Sequence, residues 1–109
     1  MVKVYQWVIY VTEETHFFAI HFTKYLSLFT KHEIHILVKD PTKQFDDLTY
    51  AKYSTIKDFI KTKRLVEKHA FIDCGELIDE SIDTRFNDYL LKTKERHIPH
   101  DLFKYKMKN

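Results

Sequence analysis

The chain has 109 residues, 44% hydrophobic and 31% charged, with a formal net charge of +2, which fits one folded domain and leaves no length for a second. Its single glycine and single cysteine exclude mechanisms that need a glycine-rich phosphate loop or an intrachain disulfide. No run reaches the ~18 apolar residues of a membrane span, and the N-terminus has no signal-peptide layout, so a cytoplasmic protein is expected, in keeping with the lone cysteine.

Val4–Val11 is β-branched and aromatic on both alternating faces, with Gln6 its one polar residue. That pattern predicts a strand covered on both sides. Thr12 or Thr15 is placed to cap the helix that follows, and Glu13 and Glu14 suit the positive end of its dipole. The helix is expected from about His16 to Lys31. Phe18, Phe22, Tyr25 and Phe29 recur at helical spacing and predict a wide buried face. Glu33–Lys39 reads as a second strand, with Ile34, Ile36 and Val38 on one face and Leu37 on the other. Asp40-Pro41 ends it.

Thr42–Tyr53 is polar and mixed and reads as a loop. Ser54 is the expected cap of a second, basic helix with Ile56, Phe59 and Ile60 as its apolar stripe. Ala70–Cys74 reads as a third strand and Gly75 as its turn. Ile78, Ile82, Phe86, Tyr89 and Leu90 predict an amphipathic helix, acidic early (Glu76, Asp79, Glu80) and basic late (Lys92, Lys94). Phe103, Tyr105 and Met107 alternate with lysines, so residues 103–109 read as an edge strand or, alternatively, a basic tail.

The order βαβαβα, with a final strand, predicts a single α/β domain over 1–109. The expected form is a small three-layer sandwich on a mostly parallel sheet of three to four strands. An α+β fold with some antiparallel pairing is the alternative.

Charge is segregated along the chain. Residues 52–68 hold six basic and two acidic side chains, 73–91 six acidic and one basic, and 92–109 six basic and two acidic. Such blocks create local fields although the total is near zero.

In a parallel sheet, ligands sit beyond the carboxyl ends of the strands. Glu13 (with Glu14), Asp40 and Asp73 follow three predicted strands and are the candidate catalytic or Mg²⁺-binding acids. His97 and His100, beside Pro99, are the candidate metal ligands; neither their spacing nor that of His32 and His35 matches HExxH. Cys74 lies among acids that raise a thiol pKa, and predicts an inert side chain. Lys57, Lys61, Lys63, Arg64, Lys104 and Lys106 are interleaved with rings, a pattern that can follow a nucleic-acid backbone and stack bases.

No catalytic set is recognisable, and tyrosine and phenylalanine are abundant. The first expectation is therefore a regulatory protein acting through a protein–protein surface or by self-association, of the kind phage and other mobile elements encode. A nucleotide- or Mg²⁺-dependent ligand-binding or enzyme domain is the second expectation, and nucleic-acid binding the third.

Overall fold

The computed structural model describes residues 5–62 and 68–96. Along them run β1 (Tyr5–Val11), α1 (Ala19–Phe29), β2 (Glu33–Val38), β3 (Lys52–Thr55), α2 (Ile56–Thr62), β4 (Lys68–Phe71) and α3 (Phe86–Arg96). The four strands form one all-parallel sheet in the order β3-β2-β1-β4. Strand β1 is central, pairing Trp7 with Ile34 of β2 and with Ala70 of β4. This position explains why its sequence is apolar on both faces.

Alternation along the strands sorts side chains onto two faces. Trp7, Ile9 and Val11 join Ile34, Ile36 and Val38 in a first cluster. Ala19, Phe22 and Leu26 of α1 and Phe86, Tyr89 and Leu90 of α3 pack into it. Val8 and Leu37 point the other way and meet Ile56 and Phe59 of α2. The predicted split of β2, with Leu37 opposite Ile34, Ile36 and Val38, is observed.

A polar link fixes the first face. Thr30 Oγ1 accepts from the Trp7 indole at 2.9 Å and donates to Asp83, whose second oxygen accepts from the Lys31 backbone N–H at 2.8 Å. The end of α1 is thereby tied to the chain entering α3.

The boundaries differ from the sequence expectation in four places. First, α1 starts at Ala19 rather than near His16, with Phe18 as N-cap and no capping side chain. The cause lies in the preceding turns. Thr15 N–H donates to Thr12 carbonyl at 3.1 Å and Phe18 N–H to Thr15 carbonyl at 3.1 Å, both i→i−3. The Thr12 and Thr15 side chains bond each other's backbone instead of capping a helix.

Second, residues assigned to a loop and a cap form β3, which pairs with β2 from His35–Lys52 to Val38–Thr55. Its sequence, Lys-Tyr-Ser-Thr, lacks a hydrophobic run because only Tyr53 packs against the main core. The capping oxygen of α2 belongs to Thr55, one residue after Ser54, and accepts from Asp58 N–H at 3.2 Å.

Third, β4 lies at Lys68–Phe71 rather than 70–74, although Ile72 N–H still bonds Val8 carbonyl at 3.0 Å. Fourth, α3 begins at Phe86. Ile78 and Ile82 are buried in the first cluster, as their pattern predicts, but Ile78 lies in irregular chain and Ile82 on a turn. Asp79 accepts from Ser81 N–H at 2.9 Å, a local bond that competes with helix. The predicted edge strand at 103–109 lies outside the described residues. Among the described residues no helix is long and apolar enough to cross a membrane.

Candidate functional site

Strand order dictates where an open parallel sheet offers a crevice. The chain builds from β1 to β2 to β3 in one direction, then returns to place β4 on the other side of β1. The carboxyl ends of β1 and β4 form this switch point, the position where ligands bind sheets of this kind.

Two turns meet there. The first, after β1, is knitted by Thr12 and Thr15. Thr12 N–H donates to Thr15 Oγ1 at 2.9 Å, and the two hydroxyls lie 3.2 Å apart. Both of these backbone N–H groups are used inside the turn. The second turn, after β4, closes with Glu76 N–H on Asp73 carbonyl at 3.2 Å. Gly75 adopts φ +100 in it, a conformation that strains any residue with a Cβ.

Cys74 is half-buried and its thiol lies beside the Thr15 side chain. Burial, the largest cause, and the charge of Asp73 push the thiol up to about 11 against the lowering effect of Thr15. The thiolate needed for nucleophilic attack is therefore scarce at neutral pH. A turn-to-turn contact, not an activated sulfur, joins the two sides of the switch point.

The predicted acids share this edge of the sheet. Glu13 and Glu14 follow β1, Asp40 follows β2 and Asp73 follows β4, and all four are exposed. Among the described residues, no group of three or more His, Cys, Asp or Glu side chains is placed to hold a metal ion.

His32 and His35 separate to opposite faces of the sheet. His32 packs against Phe86, ring centres 4.7 Å apart, and His35 against Phe59 at 5.4 Å. His35 Nε2 lies 2.7 Å from Ser54 Oγ. Of the predicted basic residues, Lys57 is exposed on α2, and Lys61 lies on α2 with its side chain outside the described set. Lys63, Arg64, His97, His100, Lys104 and Lys106 lie outside the described residues.

One feature escaped the sequence reading. Of the apolar residues predicted to line the buried face of α1, Phe22 is buried, Phe18 and Phe29 are half-buried, and Tyr25 is exposed. The buried set is Ala19, Phe22, Thr23 and Leu26. Phe17 is 78% exposed, Tyr25 48% and Leu28 72%. The signal was present: α1 carries more apolar residues than one face can bury, and a helix apolar around its circumference needs cover on more than one side. A second exposed apolar pair, Leu77 at 72% and Leu91 at 57%, lies on the acidic segment before and within α3.

No protein-family model, curated protein or solved structure matches this chain.

Proposed function

We propose that this chain is a binding protein, not an enzyme, and that it works through protein–protein contact on the outward face of α1. The scaffold in this reading is a three-layer sandwich, with α1 and α3 over one face of the sheet and α2 over the other. One observation carries the proposal: Tyr25 and Leu28 are exposed on α1, away from its buried residues Ala19, Phe22, Thr23 and Leu26, and Phe17 is exposed on the turn that precedes it. Single exposed apolar residues are ordinary. A stripe along one helix is different, because residues three and four apart are neighbours on its surface. His21, Tyr25 and Leu28 fall in one such row. Recognition of a helix in a groove uses anchors of this spacing. Each large apolar side chain contributes roughly 1.5–3 kcal/mol when fully removed from water.

The strand-end acids give a ligand-binding reading less support. They are exposed, and among the described residues no three acids, histidines or cysteines are placed to hold a metal ion.

A photo-crosslinking residue at position 28, in the full chain in its native cells, tests the proposal against the same residue at position 57. Discrete protein adducts are expected from position 28 and not from 57. Equal patterns at both positions, or none at 28, would overturn it.

A further inference from the structure

The exposed stripe of α1 sits in a segment of one charge sign. Residues 15–32 contain two lysines and no acid, and Lys24 and Lys31 are both exposed. A groove that receives this stripe should be apolar with an acidic rim, because opposite charge steers encounter and like charge rejects wrong partners.

The molecule carries an acidic segment with exposed apolar residues. Residues 73–91 hold six acids and one arginine. Leu77 and Leu91 stand exposed among them, with Asp73, Glu80 and Asp88 also exposed. Within one chain the two surfaces cannot cover each other. Both elements pack into the core on the same sheet face, and Asp83 ties the segment entering α3 to the end of α1. Two copies facing each other across a two-fold axis parallel to that layer set α1 of each against the acidic segment of the other. Such an interface is closed and self-complementary. The like-on-like arrangement would instead place Lys24 against Lys24 and acid against acid.

We infer that the occupant of the α1 face is a second copy of this chain, whose acidic segment, through exposed Leu77 and Leu91, receives Tyr25 and Leu28 in a two-fold dimer. This rests on the docking reading of α1 and names its partner.

Sedimentation of the full chain over a wide concentration range tests it. The wild-type chain dimerises, and the dimer weakens at high salt because exposed charges are screened within about a Debye length. Leu28→Asp and Leu77→Asp each raise the dimerisation midpoint at least about tenfold. Both positions are exposed, so thermal melts of the variants should match wild type at concentrations where all three are monomeric. Mixing the two variants is decisive. Each supplies the surface the other lacks, so an equimolar mixture forms a one-to-one pair at least about tenfold tighter than either variant alone.

A mixture that fails to pair while wild type dimerises overturns the inference, because the interface is then elsewhere or like-on-like. A wild-type chain that stays monomeric overturns it too. If that monomer still gives position-28 adducts with a different protein, the docking reading survives and only the self-association falls. Without such adducts, both fall.

Discussion

The two faces of the sheet solve the same packing problem differently. Among the described residues, the first face gathers seventeen buried hydrophobic side chains from the strands, α1, α3 and their connections, and the second gathers four. The first face meets polar chemistry at its margins, where Thr30 and Asp83 receive the Trp7 indole and the chain leaving α1. On the second face the polar groups stand on the strands themselves. Gln6 is 3% exposed, His35 bonds Ser54, and Gln6 pairs in register with His69. Among the described residues one face supplies most of the burial and the other carries polar groups on its strands.

The largest test of that asymmetry is a pair of matched truncations. Phe86 is 2% exposed in the first cluster, stacked on Tyr5 at 5.2 Å and edge-on to Trp7 at 4.8 Å. Phe86→Ala should cost about 3–5 kcal/mol, as deep aromatic deletions do. Phe59, 7% exposed in the smaller cluster, has fewer neighbours to lose. Phe59→Ala should cost about 3 kcal/mol or less. Urea midpoints at unchanged m-value read the difference. Equal costs would erase the distinction between the faces.

A gain of stability is expected on the second face. Gln6 Oε1 is buried with no hydrogen-bond partner among the described residues, and a buried acceptor left unpaired costs on the order of 1–3 kcal/mol. Leucine has a similar shape and no polar atom. Gln6→Leu should therefore stabilise the fold by about 1 kcal/mol. A drop in melting temperature would mean that Gln6 is satisfied by water or by a partner.

The same asymmetry explains what was legible in the sequence. β1 and β2 were readable because both faces of each are covered, leaving a hydrophobic run. β3 was hidden because it is a four-residue strand at the sheet edge, where Lys52 and Ser54 alternate with Tyr53. Local hydrogen bonds hid the helix starts. Thr12 with Thr15, and Asp79 with Ser81, hold tight turns where apolar periodicity alone predicts helix. Ile78 and Ile82 were correctly placed in the core because burial follows the spacing of side chains even where the backbone is not helical. The strand-end acids follow β1, β2 and β4 as the strand order requires, but whether such groups gather into a metal site depends on turn geometry that no spacing encodes. The outward stripe of α1 was misread for a different reason: periodicity shows that apolar residues share a helix, not how many its own core can accept.

The smallest expected effect is a pH dependence that belongs to the second face alone. Burial, and then the charge of Lys52, hold His35 below its ordinary value of 6.5, while Glu33 pulls the other way. The folded chain thus resists a proton that the unfolded chain accepts. Above pH 6.5 neither state carries it and the stability is fully present. As pH falls from 6.5 toward the lowered folded value, the unfolded state binds the proton first and stability declines. His35→Gln removes the titration and retains an amide able to bond Ser54, so its stability should vary less over that window. Phe86→Ala should shift the whole stability profile downward and leave its slope intact, since Phe86 packs on the first face. A slope that survives His35→Gln, or disappears with Phe86→Ala, would show that the two faces do not titrate separately.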